Sequence, residues 1–388
     1  MNVTLPMTPI LHTPIQAKAP VIKVVGLGGG GQNAVDRMIE LGLCGVDFIA
    51  ANTDAQVLHN SQADIKIQLG PILTRGLGAG GNPEIGEAAA EESEAALTEA
   101  LAGADMVFVT AGMGGGTGTG AISVTARLAK ELGAVVIGVV SLPFSFEVGR
   151  RQKNAREGLA KLQPFTDTLI SVPNDRLLQC APPDVPLEMA FRMADDVLRQ
   201  GVQGISELIT QSGLINVDFA HVRATMKNGG GSLLAIGTSQ GEDKAMKALE
   251  QALHHPMLET VNLEDAHGII ANFTGGSDLS FGEVTDALRY LQLRTSPETE
   301  IIPGILCDEI MEDRVQVILV LTGIGATSVD SSRPAIVEAH PEPIILEKKQ
   351  PETSSIPETL ASAGLEGMGF SQDPNDLDIP AFLRRKVR

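Results

Sequence analysis

Seven residues, Gly114-Gly115-Gly116-Thr117-Gly118-Thr119-Gly120, stand between an apolar run, Met106 to Thr110, and a helix-like run, Ala121 to Leu132. Glycines in such a place let the backbone take positive φ and approach a ligand, while the helix start offers unpaired N–H groups at the positive end of its dipole. That combination holds phosphate. Thr117 and Thr119 add hydroxyl donors, but no lysine follows, so the loop in which Gly-Lys-Ser/Thr closes a glycine turn is excluded. A second turn, Gly26-Leu27-Gly28-Gly29-Gly30-Gly31, links the short apolar strand Val21 to Val25 through Gln32 to a helix starting near Asn33. Alone it fits a dinucleotide fingerprint, with Gly26, Gly28 and Gly31 in register and Asp54 at ribose distance. The oxidoreductase which that would imply is disfavoured by the second cradle, since a dinucleotide half-fold uses one pyrophosphate turn. A proline-free helix is expected from about Leu187 to Thr210, apolar at spacings of three and four. On it Phe191 and Asp195 share a face, where the ring can stack on a base and the carboxylate can accept from the two N–H donors of guanine, a pair adenine lacks.

The segments that position these residues alternate. Strands are expected at Asp47 to Ala51, Ile65 to Leu69, Met106 to Thr110, Val135 to Val140 and Leu169 to Val172, with helices near Glu87 to Leu101 and Val148 to Leu162. Such alternation predicts an α/β fold with a Rossmann-like parallel sheet covered on both faces and ligand at the carboxyl ends of its strands. After the long helix, strand-like runs at Leu233 to Gly237, Gly268 to Phe273, Glu300 to Leu306 and Val315 to Thr322, with helices near Asp243 to Leu253 and Phe281 to Leu291, predict a second, α+β domain.

The glycine run 114–120 resembles the signature of the tubulin superfamily, and its surroundings resemble the FtsZ family of polymerising bacterial GTPases, over about Val21 to Gly325 and again at the C-terminus. The resemblance implies a tubulin-like fold, GTP and GDP as ligands with Mg²⁺ held mainly through nucleotide and waters, and head-to-tail filaments for cell division. It carries over nucleotide contacts at Gly28, Gly29, Gly30, Gly31, Gln32 and Asn33; at Asn52 and Asp54; at Gly80, Gly81 and Asn82; and at Gly114, Gly115, Gly116, Thr117, Gly118 and Thr119. It also implies Pro143, Glu147 and Arg151 for ribose and phosphates, and Asn174, Phe191 and Asp195 for the base. A solvated helix charge is the plainer account of Arg151, and a wet helix face that of Asp195. The loop Gly213 to His221 is the implied catalytic loop, acting on the neighbouring subunit's nucleotide through Asn216, Asp218 and His221. Here the chain departs from the family, whose loops carry a second aspartate three residues after the first, where this one has His221. A slower GTPase, or a scaffold polymer that barely hydrolyses, follows as the alternative.

The chain's 388 residues suit about two domains with extras. With 29 basic against 48 acidic residues the net charge is −19, which argues against nucleic-acid binding. Three scattered cysteines, Cys44, Cys180 and Cys307, imply neither zinc site nor disulfide framework, and with no signal-peptide pattern or long apolar run they point to the cytoplasm, without membrane insertion. The expected organisation is a disordered arm at 1–20, a GTP-binding domain at 21–186, the central helix at 187–212 and the second domain at 213–325. A disordered linker at 326–373 and a partner-binding peptide at 374–388 follow. Its end, Asp378-Ile379-Pro380-Ala381-Phe382-Leu383-Arg384-Arg385-Lys386, reads as a peptide that folds in a partner's groove, and the resemblance implies tethers such as FtsA or ZipA at the division site.

Overall fold

The computed structural model describes residues 19–147, 149–179, 185–211, 213, 218–227, 230–258 and 261–324. The N-terminal arm up to residue 18, Asn216, the linker and the C-terminal peptide lie outside them. Strand β1 (Ile22–Leu27) leads into α1 (Gly28–Glu40), followed by β2 (Asp47–Asn52), α2 (Ala55–His59), β3 (Ile65–Gln68), α3 (Pro83–Glu92) and α4 (Glu94–Leu101). Then come β4 (Met106–Gly112), α5 (Thr117–Glu131), β5 (Val135–Leu142), α6 (Arg150–Leu162), β6 (Thr168–Pro173), α7 (Asn174–Leu178) and the long α8 (Leu187–Thr210). The second half holds α9 (Phe219–Lys227), β7 (Gly230–Gln240), α10 (Lys244–Leu253), β8 (Gly268–Gly275), α11 (Phe281–Leu293), β9 (Glu300–Cys307) and β10 (Arg314–Thr322).

Among the described residues one ten-stranded sheet runs in the order β3-β2-β1-β4-β5-β6-β7-β10-β8-β9. Strands β1 to β6 are parallel, as alternation with helices requires, and β7 joins β6 in parallel through Thr168↔Gly230, Leu169↔Gly231 and Ile170↔Ser232. Only β10 runs against its neighbours β7 and β8. The two halves thus share a sheet. Period-two alternation along the strands feeds three apolar layers. Val25, Leu27, Val107 and Val109 pack with α3 to α6 on one face. Val24, Phe108, Ile137 and Val139 pack on the other with α1 and α8, and that layer continues to Ile270, Ile302 and Ile318 in the second half. A third layer joins α10 and α11 to the remaining face of β7 to β10.

Helix α8 follows Pro186 and buries Ala190, Ala194, Leu198, Val202, Ile205 and Leu208, one stripe at spacings of three and four. The Cβ missing from Gly204 would stand 2.9 Å from Ile318 Cγ2, so the helix lies close against β10. The helix expected across Glu87 to Leu101 is two helices. Ser93 separates them, its hydroxyl accepting from Gly70 N–H (2.9 Å) and donating to the Gln68 carbonyl (3.3 Å), a tertiary demand that interrupts a run of helix formers.

Candidate functional site

The two glycine turns interlock at the carboxyl ends of β1 and β4. Gly28 has φ +67°, and a Cβ there would stand 2.7 Å from the Gly118 nitrogen, while one on Gly118 would stand 2.9 Å from the Leu27 carbonyl. Gly114, at φ +101°, lies against the Arg151 carbonyl, and its N–H donates to Thr119 Oγ1 at 2.9 Å. The packing is backbone on backbone. Helices α1 and α5 begin at these turns with no capping side chain and no acidic residue in the first turn, so their N–H groups and dipoles are left to an anion.

Together they open on a cavity of about 440 Å³. Of the residues expected from sequence it is lined by Gly29, Gly30, Asn33, Gly115, Gly116, Thr117, Gly118, Pro143, Glu147, Arg151, Asn174, Phe191 and Asp195. Asp195 is largely buried, and burial, then the charge of Asp196, pushes its carboxyl up to about 7. Asp196 pairs instead with Arg199 (2.8 Å), which holds it below the usual range against its own burial. Asn174 is buried with Oδ1 unpartnered, an acceptor waiting for a donor. Glu147 binds the Arg151 guanidinium and accepts from Phe144 N–H (3.0 Å).

The other expected residues stand behind or beside this wall. Gln32 and Asn52 are buried and bonded to one another (3.4 Å), and Gln32 also donates to the Val57 carbonyl. Asp54 caps α2 by accepting from Gln56 and Val57 N–H (3.0 and 3.1 Å). Thr119 is buried beneath Gly114, whereas Thr117 meets Thr53 hydroxyl to hydroxyl at 2.5 Å. Gly81, Asn82 and Thr119 line an adjoining cavity between α3 and α6, and Asn82 caps α3. Gly28, Gly31, Gly80 and Gly114 do not line the cavity that holds Asp195.

Three residues have tasks that sequence reasoning did not assign. Phe144 is fully buried, stacks on Phe146 (ring centroids 5.1 Å apart) and meets Phe191 edge-on at 5.3 Å, so it sets the ring that faces the cavity. Asn154 donates to both the Gly81 and Gly114 carbonyls, tying two glycine loops together. Ser141 lines the cavity at the end of β5. A hydrophobe-rich loop motif and a polar helix residue gave no signal for the first two; Ser141 was detectable only as the last polar residue of a buried strand.

Of the expected catalytic residues, Asp218 and His221 do not line this cavity and follow the end of α8 in the chain. Asp218 accepts from Ala220 N–H (3.1 Å) and caps α9, and His221, one turn in, meets Glu300. Asn216 lies outside the described residues.

Comparison with known proteins adds independent findings. Residues 21–182 match the family model described as Tubulin/FtsZ family, GTPase domain, and residues 230–325 match FtsZ family, C-terminal domain. Among solved structures, an empty FtsZ dimer from M. jannaschii is 46% identical with a TM-score of 0.77, covering 79% of this chain and 89% of that one. A tryptophan-to-tyrosine mutant of the M. jannaschii FtsZ is likewise 46% identical, with a TM-score of 0.76, over 79% and 92%. CetZ2 from Haloferax volcanii, solved as a GTPγS-bound protofilament, shares the fold at 22% identity and TM-score 0.68, over 80% and 96%.

Proposed function

The chain belongs to the tubulin/FtsZ family of GTPases, and from that premise we propose that it binds GTP in the glycine cradle, stacks head to tail, and hydrolyses the nucleotide where two subunits meet. The observation that carries this reading is the convergence of two uncapped helix starts, the Asp195 carboxyl and the orphan Asn174 Oδ1 on one cavity. Helix N–H groups suit the phosphates, and Asp195 suits the paired donors of guanine. Asp218 follows the far end of a 24-residue helix, roughly 36 Å long, and does not line the cavity. A head-to-tail neighbour would bring its own Asp218 to the γ-phosphate held in this cavity, and repetition of such a contact would make a filament.

In that interface Asp218, with Asn216 and His221, would orient a water whose oxygen bonds to the γ-phosphorus as the bond to the bridging oxygen breaks. Mg²⁺, when bound with the nucleotide, would neutralise charge on the phosphates. Among the described residues no cluster of three or more His, Cys, Asp or Glu is placed to hold a metal ion. Cell division is the proposed setting, with the polymer on the inner face of the membrane and residues 378–386 docking in a tether such as FtsA or ZipA. Among the described residues no helix is long and apolar enough to cross a membrane.

Light scattering with GTP, GDP and ATP, with phosphate release followed in parallel, tests the reading. Scattering and phosphate with GTP alone are expected. Scattering without phosphate would leave a scaffold polymer, and no response to GTP would remove the proposal. Deleting residues 378–388 is expected to abolish recruitment to a tether and leave assembly nearly intact.

A further inference from the structure

His221 does not stand alone on α9. Its Nε2 lies 2.6 Å from Glu300 Oε1, and the other carboxylate oxygen of Glu300 accepts from Thr225 Oγ1 at 2.8 Å. Thr225 follows His221 by four residues and so shares its face, which lets one carboxylate hold two successive turns of the helix. Glu300 opens β9 and is itself fixed, its N–H donating to the His267 carbonyl at 3.0 Å. The imidazole and the hydroxyl hold its carboxyl below the usual glutamate range. Both His221 and Glu300 side chains are about half exposed, 48% and 49%, where an ion pair adds little to folding.

A carboxylate on one ring nitrogen sets the tautomer of a neutral histidine. With Nε2–H donated to Glu300, Nδ1 is left bare and can accept. We propose that Glu300 is a positioning residue for His221, fixing the imidazole so that Nδ1 takes the role which a second loop aspartate fills in the family pattern, toward the water attacking the neighbouring subunit's nucleotide. The inference rests on the interface reading above. As the water oxygen bonds to γ-phosphorus and the bond to the bridging oxygen breaks, the water's proton passes to Nδ1, and Glu300 offsets the charge of the imidazolium. The histidine is then a substitution supported by its own carboxylate, not a damaged loop. An aspartate at the same position would instead face Glu300 with like charge.

Four proteins test this: the natural chain, Glu300→Gln, His221→Asp and the double variant, each measured for phosphate release per subunit at matched polymer mass and saturating GTP. Glu300→Gln is expected to lower turnover about tenfold beside the histidine, a part of the 10²- to 10⁴-fold typical of general-base groups. In the His221→Asp background the same change should raise turnover, because it removes the opposing carboxylate. That reversal of sign is what a merely structural Glu300 would not produce. Effects of one sign in both backgrounds, or none beside the histidine, overturn the proposal. Thr225→Val, which frees Glu300 without touching the imidazole, is a second probe and should lower turnover less. Loss of polymer in both Glu300→Gln and Thr225→Val would assign Glu300 to the subunit contact and overturn its positioning role. His221→Ala separates the two layers: unchanged turnover overturns the loop reading and this pairing together, whereas a fall there with none in Glu300→Gln overturns the pairing alone.

Discussion

The two ends of α8 carry sites of opposite construction. At its start, Phe191 and Asp195 face a cavity whose opposite wall, proposed for phosphate, includes the glycine turns and the uncapped starts of α1 and α5. Beyond its end, the proposed catalytic chemistry would rest on side chains of an exposed helix turn, Asp218 accepting from Ala220 N–H and His221 meeting Glu300. A backbone cradle is complete within one chain, since its donors are placed by the fold whatever side chains surround it. A pair of exposed side chains has nothing to act on until another surface closes over it. The difference teaches that binding and hydrolysis here should be separable, with the first vulnerable to changes in packing and the second to changes in charge.

The sharpest way to break the cradle is to add one carbon where it is packed. A Cβ on Gly120 would stand 2.0 Å from the Pro83 carbonyl and 2.5 Å from the Glu87 nitrogen, both backbone atoms of α3 that cannot rotate aside. Gly120→Ala is therefore expected to push α3 off α5, costing about 1–3 kcal/mol or more as overpacking does, and to abolish GTP binding. Chemical denaturation and nucleotide titration check both. Gly115→Ala is the contrast, because a Cβ there meets nothing within 4 Å. Its stability should stay within about 0.5 kcal/mol, with any effect confined to the ligand. Equal destabilisation by the two would show that the cradle is not held by close backbone packing.

The second prediction concerns Asp195, the side chain proposed to read the two N–H donors of guanine. Asp195→Ala should weaken GTP by about 1–3 kcal/mol, the cost of leaving buried polar groups unpaired, and leave ATP binding unaltered. Competition titrations with the two nucleotides measure it. An equal loss for both would make Asp195 a structural residue and return base reading to Asn174.

These contrasts also mark what could be read from sequence. The glycine turns, the alternation of β1 to β6 and the stripe of α8 were legible because each is a local pattern with a local cause: a turn needs glycine, a buried strand needs apolar runs, and a buried helix needs a stripe. Phe144 was not, because its task of seating Phe191 comes from a contact across 47 residues, as 191 − 144 shows. Asp54 reads as a ribose ligand by its spacing, and the cap that its Oδ1 makes by accepting from two N–H groups of α2 is a second task that spacing did not reveal. Glu300 stood unremarked at a strand start, since nothing local connects it with a histidine 79 residues earlier. The shared sheet was equally hidden, for three register pairs between β6 and β7 leave no trace in either strand.

The last and smallest effect asks whether the cradle end, too, depends on charge. Burial and Asp196 push the Asp195 carboxyl up to about 7, against 3.8 for the unperturbed group. Between those values the folded, ligand-free protein keeps a proton that the unfolded chain has released, so this group's contribution to stability falls as pH rises through that window. The two donors of guanine, N1–H and N2–H, are matched by the two oxygens of an ionised carboxylate, so the base favours that form and must expel the proton wherever one is present. Affinity for GDP should thus rise with pH up to about 7 and level off above it. From pH 6 to pH 8 the gain should be about tenfold, as expected for one proton released around a pKa near 7. Asp195→Asn carries no titrating group there, and phosphate titration in GDP is common to both proteins, so the difference between their slopes isolates the carboxyl. The same variant, without nucleotide, should gain thermal stability relative to the natural chain as pH rises from 6 to 8. Parallel slopes in the two proteins would mean that Asp195 is already ionised before the base arrives, and the cradle end would then be as indifferent to charge as its backbone walls suggest.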